Sequence, residues 1–282
     1  MEDRPERGQS IVCANLGLSG LGWTPRATNQ SWRGIASSAD GTKLAAVIGG
    51  CCLVATQPFA GQIYLSTDSG VTWAARATVQ EWRAVASSAD GTKLVAVVNG
   101  GQIYTSDNSG ESWTPHEANQ PWRSVASSAD GTMLVAVAQN RLIFTSFDSG
   151  TTWLTHDSNR IWTSVASSAD GTKLVAVVGS GQIYTSTNSG VSWTPRESNQ
   201  NWQAIASSAD GAKLIAAVGN GQLYTSTDSG LTWTARESNR NWSAVTSSAD
   251  GTRLIAVVEG GAIYTSVDAG LTWIARESTR TW

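Results

Sequence analysis

Residues 162–202 set the pattern of the chain: WTSVASSADGTKLVAVVGSGQIYTSTNSGVSWTPRESNQNW. From Trp162 to Ser168 large and small residues alternate, which predicts a strand with one face turned inward. Asp170-Gly171 then predicts a tight hairpin turn with positive φ. Lys173 to Val178 is an apolar, β-branched run of the kind buried on both faces, and Gly179-Ser180-Gly181 breaks it. Gln182 to Ser186 alternates again. Thr187 to Gly190 turns the chain into Val191–Glu197, the most polar of the four strands. In order these are strands A, B, C and D of an antiparallel meander.

The pattern recurs along the whole chain. A Trp-x8-Trp pair appears seven times: Trp23/Trp32, Trp73/Trp82, Trp113/Trp122, Trp153/Trp162, Trp193/Trp202, Trp233/Trp242 and Trp273/Trp282. From Trp73 onward the pairs are 40 residues apart. A four-stranded unit with two apolar faces is stable only when copies stack on it, so the expected fold is all-β, a β-propeller of four-stranded antiparallel blades. Strands A and B belong near the axis, and D, with Pro, Arg and Glu, on the rim.

Six complete units start at Trp32, Trp82, Trp122, Trp162, Trp202 and Trp242. We therefore expect a single domain over residues 1–282, made of an N-terminal segment (1–31) and six repeats of about 40 residues (32–282). The first repeat carries ten extra residues, Cys51–Ala60, between B and C. Ahead of it stands an orphan D strand, Gly22–Asn29, preceded by Ile11–Gly20, which aligns loosely with a C strand. This orphan could close the ring, add an outer strand, pair with another molecule, or belong to a seventh blade without A and B strands. Six blades is the expectation and seven the alternative, because missing inner strands would leave a gap at the axis.

The C-to-D turns read Ser66-Thr-Asp-Ser-Gly-Val-Thr-Trp73, Ser146-Phe-Asp-Ser-Gly-Thr-Thr-Trp153, Ser226-Thr-Asp-Ser-Gly-Leu-Thr-Trp233 and Ser266-Val-Asp-Ala-Gly-Leu-Thr-Trp273. Two further copies carry Asn108 and Asn188 in place of Asp. The series resembles the Asp-box, or BNR repeat, of sialidase-like propellers, sorting-receptor propellers and the photosystem II assembly factor family. A structural role is expected for Asp68, Asn108, Asp148, Asn188, Asp228 and Asp268. A short Asp or Asn side chain can accept bonds from its own turn, whereas a metal or proton-transfer role would suffer where the charge is lost.

The net charge of −3 comes without any cluster of Lys and Arg, so nucleic acid is not an expected partner. The apolar runs are strand-sized, and membrane insertion is not expected. Met1–Gly20 lacks the basic start and long apolar centre of an export signal. Cys13, Cys51 and Cys52 are read as free thiols.

Catalysis should break the symmetry of the repeat, and little does. Tyr64, Tyr104, Tyr184, Tyr224 and Tyr264 share one C-strand position with Phe144, which suits packing rather than nucleophilic attack. His116 and His156 replace arginine at one D-strand position and lack a third ligand, so no metal and no cofactor are expected. Arg33, Arg83 and Arg123 follow the A-strand tryptophan in three consecutive units, where the others have Thr163, Gln203 and Ser243. They are either solvated or stacked arginines, or half of an anion-binding face.

Strand alternation puts the D-to-A and B-to-C connections on one face of the disc, opposite the Asp-Gly turns and Asp-boxes. The D-to-A segments carry Asn29/Trp32, Asn119/Trp122, Asn159/Trp162, Asn199/Trp202 and Asn239/Trp242, with Trp82 at the matching position of the second unit. These tryptophans either wedge between blades or offer aromatic faces to sugar rings beside amide and guanidinium donors. The expected function is a non-enzymatic repeat scaffold for binding or assembly, its protein or glycan ligand unknown. The alternative is a multivalent lectin, and a more distant one a sialidase-like glycoside hydrolase. Self-association through the orphan strand is a further expectation.

Overall fold

A computed structural model describes Arg26, residues 30–49 and residues 60–276. The strands expected over residues 11–29, Asn29, Trp23, Trp282, the three cysteines and residues 51–59 of the insertion lie outside the described residues.

The first blade is β1 (Trp32–Ser37), β2 (Leu44–Gly49), β3 (Ala60–Ser66) and β4 (Ala74–Gln80), hydrogen-bonded in that order. The second begins with β5 (Trp82–Ser87) and β6 (Leu94–Ser106), and from there the chain is sewn into one sheet. Its further strands are β7 (Thr114–Ser127), β8 (Leu134–Ser146), β9 (Leu154–Ser167), β10 (Leu174–Gly181), β11 (Ile183–Ser186), β12 (Thr194–Pro195) and β13 (Gln200–Ser207). The last five are β14 (Leu214–Ser226), β15 (Thr234–Ser247), β16 (Leu254–Val258), β17 (Ile263–Ser266) and β18 (Ile274–Ala275). Among the described residues they make six four-stranded antiparallel units, and the fold is a β-propeller.

Two local expectations need correction. The D-to-A connections are not loops at three junctions: β7, β9 and β15 run unbroken from the D strand of one blade into the A strand of the next. They can do so because the end of each B strand pairs with the crossing backbone, as in Asn99↔Pro121 and Gly101↔Gln120. The Asp-Gly turns are also wider than a two-residue hairpin. Gly171 alone takes positive φ (73°), while Asp170 stays outside that region and caps the turn, which closes through Ser168 N–H to the Lys173 carbonyl at 2.8 Å.

B strands are buried along their length, as Leu174–Val178 shows, and the outer D strands are exposed. The core is a series of inter-blade clusters. Val175, Val177 and Ile183 of blade 4 meet Trp202, Ile205, Leu214, Ala216 and Val218 of blade 5, and equivalent clusters join each earlier and later neighbour from blade 1 to blade 6. A backbone ladder crosses the same junctions. Ala39 N–H donates to Ala89 O, Ala89 to Ala129, Ala129 to Ala169, Ala169 to Ala209 and Ala209 to Ala249, at 2.7–2.8 Å.

Candidate functional site

The repeated polar turns close on themselves within each blade. In blade 5 the Asp228 carboxylate accepts from the Thr232 hydroxyl (2.6 Å), the Thr232 amide (2.9 Å) and the Ser226 hydroxyl (2.8 Å), while Trp233 Nε1 donates to the Gly230 carbonyl at 3.1 Å. The Thr232 hydroxyl and amide hold the Asp228 carboxyl well below its ordinary value of 3.8, at about 2. Asp68, Asp148 and Asp268 make the same set. Where Asn stands instead, the fourth residue on is Ser rather than Thr, and the last bond reverses direction. Asn108 Nδ2 donates to Ser112 Oγ at 2.8 Å and Asn188 Nδ2 to Ser192 Oγ at 2.9 Å. The turn survives loss of the charge, as a structural role requires. The A-to-B turns add a second capped carboxylate: Asp170, held by the Ser168 hydroxyl and the Thr172 amide, is also lowered to about 2.

The tryptophans expected as possible sugar platforms are core. Trp82, Trp122, Trp162, Trp202 and Trp242 are 0–1% exposed, and Trp32 is half-buried. Each of these A-strand tryptophans meets the C-strand Tyr or Phe of its blade edge to face, with ring centroids 4.8–5.3 Å apart. Asn119, Asn159, Asn199 and Asn239 lie exposed on the outer segments, so the structure does not assemble a Trp–Asn sugar site. Tyr184 and Tyr264 are further covered by Arg160 and Arg240, whose guanidinium carbons stand 4.4 and 4.8 Å from the ring centroids.

His116 and His156 take over a rim contact that arginine makes elsewhere. Their Nε2 atoms lie 2.8 Å from the Thr105 and Thr145 hydroxyls, as Arg196, Arg236 and Arg276 Nε lie 2.9–3.0 Å from Thr185, Thr225 and Thr265. Burial lowers both histidine pKa values. Among the described residues no group of three or more His, Cys, Asp or Glu could hold a metal ion. Nor is any helix there long and apolar enough to cross a membrane.

The arginines do converge. A cavity of about 490 Å³ runs into the axis and is lined by the A strands of all six blades. Arg33, Arg83 and Arg123 occupy one arc of it, with Gln139 beside Arg123; Thr163, Gln203 and Ser243 occupy the other, joined by Asn201. Among the described residues its lining holds no Asp or Glu. The arginines are half-buried and held in place. Arg123 donates to Gln139 Oε1, and the stem of Arg33 runs beneath Gly49, where an added Cβ would stand 2.6 Å from Arg33 Cγ and collide with the Trp82 carbonyl oxygen. Opposite, the Thr163 hydroxyl is tied to the Val177 and Trp202 carbonyls at 3.1 and 3.0 Å. Gln139 escaped the sequence reading, although its place in the repeat, filled by Gly179 and Gly219 in the next two blades, signals a departure.

The sequence matches no protein-family model and no curated protein. Among solved structures, YCF48 from Cyanidioschyzon merolae superimposes with a TM-score of 0.64 at 16% identity, covering 86% of this chain and 84% of that one. A structure of YCF48 bound to D1 peptide also gives 0.64 at 16% identity, with 86% and 81% covered. An ancestral GH74 enzyme gives 0.65 at 17% identity, covering 86% of this chain but only 37% of its own. At these identities the likeness establishes the propeller fold.

Proposed function

We propose that this protein is a non-enzymatic scaffold that binds a protein partner, and that the arginine arc of the axial cavity receives an acidic segment of that partner. The observation that carries the reading is the cavity itself: three arginines and no carboxylate among its described lining residues, in a chain whose net charge is −3. Partly desolvated guanidinium groups favour carboxylates through charge-assisted bonds, and neutral Thr, Gln, Asn and Ser opposite them can bind peptide amides. A glycoside hydrolase would need a pair of carboxylates flanking the scissile bond, which this lining lacks among the described residues. YCF48, a propeller of the same fold, has been solved with a peptide bound, which supports a peptide as ligand. We read the six Ser-x-Asp/Asn turns as Asp-boxes with a purely structural task.

Fluorescence anisotropy with a Glu/Asp-rich peptide and its Lys-substituted counterpart tests the reading. The acidic peptide should bind and weaken with salt. The triple variant Arg33→Gln, Arg83→Gln, Arg123→Gln should lose about a hundredfold in affinity or more, since each charged hydrogen bond contributes about 1.5–3 kcal/mol. Equal binding of both peptides, or full affinity in a folded triple variant, would overturn it.

A further inference from the structure

The axial cavity opens toward the B-to-C turns, since Gln139, Ile161, Gly179 and Ser180 are part of its lining. Outward from it, the crossing backbone pairs with the start of each C strand. At four crossings a glycine stands opposite Gln or Arg: Gly61↔Gln80, Gly101↔Gln120, Gly181↔Gln200 and Gly221↔Arg240. In blade 3 the pair is Arg141↔Arg160. The pair one step inward, Gln139↔Ile161, lines the cavity, so two cations flank the line along which a chain would leave the axis over blade 3.

The glycine at this place answers to the core beneath it. A Cβ at Gly101, Gly181 or Gly221 would stand 2.5–2.6 Å from a methyl of the B-strand valine three residues earlier, Val98, Val178 or Val218. Blade 3 has Ala138 there, 0% exposed and paired with Trp122 across strands A and B. In a close-packed interior every methyl counts, and here the core gives up two of them. What that makes room for is the side chain of Arg141.

Both cations are held in place. Arg141 is exposed and donates through Nε at 2.9 Å to Gln120 Oε1, in the strand that enters blade 3. Arg160 lies over the Tyr184 ring of blade 4 at 4.4 Å and touches the Asp157 carboxylate at 3.4 Å, which offsets part of its charge. Next to Arg160, at the mouth of the cavity, stands Ile161, 45% exposed, where the other five units have Ser, Glu, Pro or Asn. Its apolar surface would be covered by an aliphatic side chain of a ligand that takes this path.

Resting on the reading of the axial arginines as the seat of an acidic segment, we propose that this segment leaves the cavity over blade 3 and is recognised there a second time. An aliphatic residue of the partner covers Ile161, and a second acidic residue binds the guanidinium of Arg141, with Arg160 beside it. Ladder pairs two residues apart along a strand stand about 7 Å apart, which an extended peptide spans in about two residues. Alternate residues of an extended chain face the same way, so the partner's motif has the form acidic-x-aliphatic-x-acidic.

Two fluorescent peptides test this by anisotropy: Glu-Glu-Ala-Leu-Ala-Glu, and Glu-Glu-Ala-Ser-Ala-Gln, which keeps only the axial acids. The parent protein should bind the first about tenfold more tightly than the second or better, because it adds a charge-assisted hydrogen bond and an apolar contact. A variant carrying Ala138→Val, Arg141→Gly and Ile161→Asn takes the residues that other blades already use at these positions, which protects the fold. It should bind the two peptides within about twofold of each other, at the level of the second. Failure of the parent to bind either peptide would overturn this inference together with the arginine-arc reading. Binding of both peptides without preference, lost in the Arg33→Gln, Arg83→Gln, Arg123→Gln variant, would leave the arc standing and overturn the path over blade 3. So would a preference for the first peptide that survives in the blade 3 variant.

Discussion

Truncating Trp202 to alanine removes the wedge between blades 4 and 5. The ring is 0% exposed and touches both sides of the junction, with Val175, Val177 and Ile183 behind it and Ile205, Leu214, Ala216 and Val218 ahead. Neither sheet can collapse into the void, because each B strand is hydrogen-bonded on both sides. Loss of a buried Trp costs about 3–5 kcal/mol, and loss of the edge-to-face contact with Tyr224 at 5.1 Å adds about 0.5–1.5 kcal/mol. For a domain of this size each kcal/mol lowers Tm by about 2–4 °C, so the variant should melt on the order of 10 °C below the parent. Differential scanning calorimetry measures this directly, with Asn199→Ala as the exposed control expected to shift Tm by less than about 2 °C. A Trp202→Ala protein that melts within about 2 °C of the parent would refute the assignment of this ring to the inter-blade core, and with it the argument against a sugar-stacking face.

The capped turns make their own predictions. Asp228→Asn should cost under about 1 kcal/mol, because Asn108 and Asn188 already serve at this position, whereas Asp228→Ala should cost about 1–2 kcal/mol by leaving the Thr232 amide and Ser226 hydroxyl without their acceptor; urea titration distinguishes the two. Acid should unfold the protein through these turns. Folded-state pKa values near 2 at Asp40, Asp68, Asp130, Asp148, Asp170, Asp228 and Asp268, against an ordinary 3.8, mean that their stabilisation is fully present above about pH 4–5 and is lost as pH falls through about 2. A Tm that stays flat from about pH 5 to about pH 2 would contradict this. Ala269 holds φ at 57°, a left-handed conformation that penalises any Cβ, so Ala269→Gly should raise stability by about 0.5–1 kcal/mol, seen as a Tm gain of a few degrees.

The strands are legible because the two periodicities in the sequence, alternation in A and C and the unbroken apolar run in B, have one physical outcome each. The turns are legible in place but not in form. Composition alone predicts positive φ through Asp170-Gly171, and the structure places it at the glycine only, the aspartate being used instead as an acceptor for Ser168 and Thr172. The D-to-A segments read as loops because Asn, Gln and Pro punctuate them; pairing of Asn99 with Pro121 and of Gly101 with Gln120 keeps them extended, a long-range effect that local composition does not encode. Burial of Trp202 is one of two readings open to the sequence, since an aromatic residue beside amides looks the same at a blade junction and at a lectin site. What decides it is the neighbouring blade, whose trailing face comes from residues 175–183.

Near-identity of the blades makes the departures informative. A side chain that repeats in every unit answers to a demand every unit shares, and in this molecule that demand is packing or turn closure: Trp at the junction, Asp or Asn in the turn, Ser168 and its counterparts beneath the Asp-Gly cap. Function that acts on one ligand along one axis has to come from positions where the copies differ. The A-strand position after the tryptophan is such a place. It lines the axial cavity in all six blades, and it is Arg in three neighbours and neutral in the other three. Six arginines would have produced a symmetric and strongly self-repelling ring; three on one arc give the cavity a direction, with a cationic wall and a neutral hydrogen-bonding wall. A ligand seated there would have to be asymmetric too, with its carboxylates on one side, as an extended acidic peptide can place them.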